Sequence, residues 1–291
     1  GGAQLVVATD RTSNGPLLVY PRPQGMGGAP QTEQWVLDNS AADPNTGQAM
    51  VATAENVARE GKMSRAALDE LTLLRWTQYQ RALADDRALQ RRYFQAVDLS
   101  LGKGRSLRVE ADEGVHPYSA ESLAKLKPLA EGGVVTFGGQ THPADGNAGL
   151  VVTTAAKARE LSRDPKIAVR LHGFGLARAA LAYMPEATLP AAKQALAQAG
   201  KTVKDMAAIK THNPFAINDL FFARETGADL KSMNNYGCSL VWGHPQAPMG
   251  TRAIIEVIEE LALRGGGWGL FTGCAAGDTA MAVVIEVTGA K

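Results

Sequence analysis

The sequence predicts an α/β protein with helices layered over both faces of its sheets, and three observations carry that reading. Apolar runs of strand length alternate with amphipathic helical stripes through the second half of the chain. Glycine or proline punctuates most junctions between them. Of the 291 residues, 45% are hydrophobic and 20% charged, enough apolar material to bury one large core or two modest ones.

Taken in order, Leu5–Thr9 is a short apolar strand, entered directly from GGAQ, so that the chain reads as opening inside a domain. Arg11–Asp43, with Asn-Gly, repeated Pro and Gly-Met-Gly-Gly, reads as a long irregular loop. Gln48–Arg59 and Ser64–Leu83 read as two helices packed as a pair, the second capped by Ser64 and striped by Leu68, Leu71 and Leu74. The basic residues Arg87, Arg91, Arg92, Lys103, Arg105 and Arg108 scatter as a solvated face does; a phosphate-contacting rim is the alternative. Ser119–Ala130 is a further short helix, and residues 138–146 are a Gly/Pro-rich candidate binding loop before the strand Ala148–Thr153.

Ala155–Ser162 is helical in pattern, and Asp164-Pro165 marks a domain boundary before the strand Ile167–Leu171. Pro190 and Gly200 bracket a helix, and Met206–Lys210 is the next strand, with His212 just past its end. Ile254, Ile258 and Leu261 stripe a helix stopped at Arg264-Gly265. Trp268–Thr272 and Thr279–Val287 close the chain as strands, with Cys274 in the tight turn between them.

Composition narrows the function classes. Thirty basic residues against 29 acidic ones give a net charge of +1, and without a dense basic run neither nucleic acid nor a membrane surface is an expected partner. No apolar run approaches the ~20 residues of a membrane span, and no signal-peptide pattern opens the chain, so a cytoplasmic protein acting on a small molecule is expected. The two cysteines, Cys238 and Cys274, do not make a disulfide framework.

Chemistry collects in NNYGCSLVWGHPQAPMG, residues 234–250, where glycine and proline flank His244. His212, His244 and Cys274 each lie at a turn beside a strand or Gly-rich segment, where rigid scaffolds present reactive groups. Zinc is not expected, because no Cys-x₂₋₄-Cys or His-x₃₋₅-His pair exists. GGGWGLFTG is not a dinucleotide fingerprint, since its glycines end a helix and enter a strand, and no Gly-x-Ser-x-Gly elbow or phosphate loop is present.

Residues 234–250 resemble the Asn-x-x-Gly-Gly-x-x-x-x-Gly-His-Pro-x-Gly-x-x-Gly block of the thiolases. GLFTGCAAGDTAMAVVIE is similar to the same family's closing Gly-Leu-x-x-x-Cys-x-Gly-Gly-Gly block, and THNPFAIND to its His-Glu-Ala-Phe segment. VATAENVAREGKMSRAALDE and GGQTHPADGNAGLVV resemble two further stretches. The resemblance implies a thiolase-like layered αβαβα fold, with residues 1–12 and 138–164 from the end of an N-terminal domain, 13–137 a loop domain and 165–291 a C-terminal domain. It further implies CoA-dependent cleavage of a 3-ketoacyl-CoA, or the reverse condensation, with coenzyme A and acyl-CoA as substrates and no covalently bound cofactor.

Under that resemblance His244 activates a nucleophilic Cys, Cys274 exchanges a proton with the acetyl-CoA α-carbon, and His212 donates to the enolate oxygen. Ala276, Gly277 and Asn213 support the oxyanion by their backbone or position, while Thr141, Gly243, Ala247 and Cys238 contact CoA or substrate. The nucleophilic Cys falls in a portion these residues do not include, so a complementary N-terminal polypeptide and a dimeric or tetrameric assembly are the expected partners. Cys238, Ala247 and Ala276 stand where the family has glycine, and Asn213 where it has an acid, which implies an altered acyl pocket. A non-catalytic CoA-binding scaffold, or another CoA-ester condensing enzyme or lyase of the same superfold, is the alternative.

Overall fold

The computed structural model describes residues 2–289, in which the first strand, β1 (Gln4–Arg11), outruns the apolar stretch that predicts it. Residues 11–43 are more ordered than a loop. They hold a hairpin of β2 (Leu17–Tyr20) and β3 (Gln31–Gln34), then helix α1 (Trp35–Ala41), opened where the Gln34 side chain accepts from the Leu37 N–H. The polar, Pro-rich composition hides this hairpin because its strands are four residues long and face solvent.

Helices α2 (Met50–Glu60) and α3 (Arg65–Arg91) form where their stripes place them, and the Ser64 hydroxyl caps α3 by accepting from Ala67 N–H. Regular geometry in α3 stops at Leu83, because Asp85, Asp86 and Arg87 take left-handed backbone angles. An exposed hairpin follows, β4 (Val97–Gly102) with β5 (Arg105–Val109), on which Arg108 pairs with Asp98 and Glu110 in solvent. The scattered arginines are thus a solvated face. Helix α4 (Ala120–Ala124) carries a Ser119–Ser122 capping box. Strand β6 (Asp145–Val152) returns to pair antiparallel with all of β1, and α5 (Ala155–Leu161) follows, capped by Thr154.

The rest of the chain builds one four-stranded sheet. Strand β7 (Ala168–Arg178) leads to α6 (Thr188–Ala199), which ends at Gly200 in the left-handed conformation. Strand β8 (Met206–His212) includes His212 as its last residue, and α7 (Ala216–Thr226) follows it. A single-turn helix, α8 (Ser239–Trp242), precedes α9 (Met249–Leu263), β9 (Gly267–Ala275) and β10 (Thr279–Thr288). The strand order is β7-β10-β9-β8, antiparallel except for the parallel β8–β9 pair. Cys274 lies within β9, opposite Ala280, rather than in the turn.

Alternation along β10 explains the layering. Ala280, Ala282 and Val284 join the core under α6 and α7, while Val283, Ile285 and Val287 join the one under α9. Helix α9 touches β6 as well as the large sheet, which makes it the layer between the two sheets. On the opposite face α6 sits close because β7 offers Gly175, where a Cβ would run into the Ala191 carbonyl. Helices α2 and α3 meet through α7 rather than as a pair: Ala54, Val57, Leu68, Leu71, Ile217 and Phe222 share one core.

A buried ionic cluster ties residues 93–112 to α9. Arg252 binds Asp112 with both terminal nitrogens, at 2.6 and 2.9 Å, and reaches Glu256 at 2.9 Å while stacking 3.7 Å over the Trp242 ring. Lys210 pairs with the same Glu256, and Tyr93 donates to it.

Candidate active site

Parallel pairing of β8 with β9 aligns His212 with Gly273, and so places His212 beside Cys274. His244 arrives from another direction. Gly243, at φ 95°, turns the chain out of α8 where a Cβ would press on His142 and Ala144, and the His244 N–H donates to the His142 carbonyl at 2.8 Å. Residues 138–146 thus act as a clamp: Thr141 N–H also donates to the Pro214 carbonyl, just before α7. The outcome is a pair of imidazoles with ring centroids 4.4 Å apart on the wall of one cavity of about 1690 Å³, to which Cys274 also contributes. That volume exceeds the ~300–1,000 Å³ of ordinary small-molecule pockets.

Burial sets the protonation states. His244 is pushed down to about 4, against a weak opposing pull from the Asp10 carboxylate, and its Nδ1 has no hydrogen-bond partner among the described residues. His212, fully enclosed and facing His244, is held well below the usual histidine value, first by burial and then by that neighbour. Both imidazoles are neutral at pH 7. Burial pushes the Cys274 thiol up to about 12, opposed by the Asn218 side-chain amide, which donates to Sγ at 3.2 Å. A backbone-stabilised thiolate, as a Gly-rich turn would suggest, is therefore not the resting state.

Of the residues singled out in the sequence, His212, His244, Cys274, Ala276, Thr141 and Ala247 line this cavity. Four do not. Cys238 is wholly buried and meets the Asn213 amide at 3.1 Å, a packing residue whose thiol burial pushes up to about 11. Asn213 lies beneath the wall, Gly243 serves the turn, and the Gly277 N–H is taken by the Asp43 carboxylate at 3.1 Å. Thr141 reaches the cavity, but its hydroxyl donates to the Ser239 carbonyl at 2.6 Å.

Sequence reasoning missed Asn218, His142 and Ser239. Asn218 bonds both Cys274 and the Phe215 N–H, and that N-terminal capping pattern was the available signal. His142 lines the cavity, and Ser239 holds the His212 ring. No three His, Cys, Asp or Glu side chains gather as metal ligands among the described residues, and no helix there is long and apolar enough to cross a membrane.

Two domain families match this chain: Thiolase, N-terminal domain, over residues 12–156, and Thiolase, C-terminal domain, over residues 165–287. The chain belongs to the thiolase family. It is 31% identical over 264 residues to an acetyl-CoA acetyltransferase of Chromobacterium violaceum, covering 90% of this chain and 66% of that protein. It is 32% identical over 271 residues to a 3-ketoacyl-CoA thiolase of Aeromonas salmonicida, covering 85% and 60%. The chain therefore spans less than two thirds of the length of these two curated relatives. Human mitochondrial 3-ketoacyl-CoA thiolase superposes with a TM-score of 0.89 at 26% identity, over 98% of this chain and 72% of that one. Its complex with CoA superposes at 0.88. The fold is the layered thiolase fold.

Proposed function

We propose that this chain forms part of a thiolase-type acyltransferase that cleaves a 3-ketoacyl-CoA with CoA, or runs the reverse condensation, with its nucleophilic Cys on a complementary N-terminal polypeptide. The observation that carries this reading is the convergence of neutral His244 and protonated Cys274 on one large cavity beside His212.

The chemistry follows from those states. A thiol entering opposite His244 gives its proton to the imidazole, and the thiolate so formed favours the imidazolium beside it. The thiolate attacks the 3-keto carbon, the bond between C2 and C3 breaks, and Cys274 gives its proton to the departing acetyl-CoA α-carbon. A thiol pushed up to about 12 starts in the protonated state this step needs. The thiol of CoA then gives its proton to the Cys274 thiolate, its sulfur takes the acyl group, and the released nucleophilic thiolate recovers its proton from the His244 imidazolium, which restores all three groups.

A nucleophile and a sheet partner lying outside these residues, as a complementary N-terminal polypeptide would supply, are supported by two features. Cys238 is sealed from the cavity, and Cys274 is assigned to the proton transfer. The two-stranded β1–β6 sheet also leaves Leu5, Val6, Val7 and Val151 exposed, more apolar surface than such a ribbon carries alone. In this reading residues 1–12 and 138–164 end the N-terminal thiolase domain, 13–137 form the loop domain, 165–291 form the C-terminal domain, and the units assemble as dimers or tetramers. Mixing the chain with the complementary polypeptide should yield CoA-dependent cleavage of a 3-ketoacyl-CoA. Inactivity across short, long and aromatic acyl chains would sink the proposal. The capture of Gly277 N–H by Asp43 favours a second reading, a CoA-binding subunit without turnover, which a partner bearing Ser or Ala opposite His244 would support.

A further inference from the structure

The hydrogen bonds behind His212 form a line of buried polar groups running away from the cavity. Its Nδ1 lies 3.1 Å from Ser239 Oγ, and no protein group among the described residues bonds its Nε2. Ser239 Oγ also lies 3.0 Å from Asn213 Oδ1 and 3.3 Å from Asn213 N–H. Asn213 Nδ2 in turn donates to the Asp219 carboxylate at 2.8 Å. Asp219 is fixed by Arg75 Nε at 2.8 Å, by Asn234 Nδ2 at 3.1 Å and by the Thr211 hydroxyl. Ser239, Asn213, Asp219 and Arg75 have no solvent exposure.

Donor and acceptor counting then leaves one arrangement. A carboxylate only accepts, so the Asn213 amide must turn its NH₂ toward Asp219 and its oxygen toward Ser239. That oxygen also only accepts, so the single hydroxyl proton of Ser239 goes to it. The Ser239 oxygen is left with lone pairs facing Asn213 N–H and His212 Nδ1. The imidazole, neutral in this enclosure, must therefore carry its proton on Nδ1. The alternative, with the hydroxyl proton aimed at Nδ1, leaves Asn213 Oδ1 buried against another oxygen at 3.0 Å with no donor, the costlier arrangement where water cannot reach.

We propose that Ser239, oriented by Asn213, is a positioning residue that holds the His212 proton on Nδ1 and so presents Nε2 to the cavity as a hydrogen-bond acceptor. What meets His212 in the cavity is a donor, either a hydroxyl, an enol, a thiol or a water, and a bare thioester or enolate oxygen does not bind it directly. This reverses the donor role that the thiolase resemblance implies for this side chain. Only the identity of the ligand rests on the acyltransferase reading; the proton position does not.

Nitrogen-15 spectra of the histidine-labelled protein test it without any turnover. The His212 signals, assigned by their loss in His212→Gln, should show a protonated Nδ1 and an unprotonated Nε2. In Ser239→Ala the Nδ1–H loses its acceptor, and the two signals should exchange character, with the other histidines unchanged. A protonated Nε2 in the unsubstituted protein overturns the proposal, as does a proton that stays on Nδ1 in Ser239→Ala. A protein inactive toward 3-ketoacyl-CoA but with the expected spectra would defeat the acyltransferase reading and leave this one standing.

Discussion

Cys274 and His244 are the residues on which activity should depend most sharply. In the reconstituted assembly Cys274→Ser should lower kcat by about 10²–10⁴-fold, the usual worth of a positioned proton donor, while the melting temperature stays put. A variant with near-normal turnover would remove Cys274 from the mechanism. Enclosure of His244 also makes stability depend on pH. Its value of about 4 in the folded protein lies below the 6.5 of the unfolded chain, so the unfolded state takes up the proton first as pH drops. Stability is fully present above pH 6.5 and is lost as pH falls toward 4, by at most about 3 kcal/mol from this residue. Urea midpoints at pH 7.5, 6 and 5 should fall in that order, and His244→Gln should flatten the trend; equal slopes for the two proteins would contradict it. At this scale the sequence exposed the reactive side chains but not their states. Turn glycines and motif spacing mark His212, His244 and Cys274, whereas the lowered imidazoles and raised thiol come from packing by residues distant in the chain. Cys238 shows the same limit, for a thiol in a Gly-rich stretch looks alike whether it faces a cavity or a core.

Among the elements, the contact of α6 with β7 rests on an absent side chain. Gly175→Ala should push the helix outward and destabilise the protein by about 1–3 kcal/mol, read as a lower thermal midpoint. An unchanged midpoint would show that the strand can shift freely. Helix α6 also caps the outer strand: the Gln194 and Gln198 side chains accept from the Leu176 and Phe174 N–H groups at 3.1 Å. Long periodic elements were legible from the sequence: α2, α3, α6, α9, β9 and β10 fall close to their patterns because apolar spacing and caps agree. For β7 the sequence marks only Ile167–Leu171, since beyond it Gly173 and Gly175 fill the inward positions while Phe174 and Leu176 are exposed, the reverse of apolar-in, polar-out alternation. The β2–β3 hairpin carries no buried stripe and so left no periodic trace.

For the molecule as a whole, the Arg252 cluster joins the region before residue 118 to the helix between the sheets. Arg252→Met should leave the Asp112 carboxylate buried with only the neutral donors Tyr79 and Gln90 and no cation, and cost about 3–5 kcal/mol, seen as faster proteolytic cleavage within residues 92–118. Cleavage at the unsubstituted rate would mean that apolar contacts alone hold this segment. The cluster also constrains how sequences of this family recombine. Asp112 and Tyr93 lie in one stretch and Arg252, Glu256 and Lys210 in others, so a crossover between them joins halves from different parents. A chimera taking residues 92–118 from a relative without a matching acid keeps the Arg252 contact to Glu256 but leaves the two terminal nitrogens of a buried guanidinium without their carboxylate. Libraries shuffled within this stretch should therefore yield folded members chiefly when position 112 travels together with position 252.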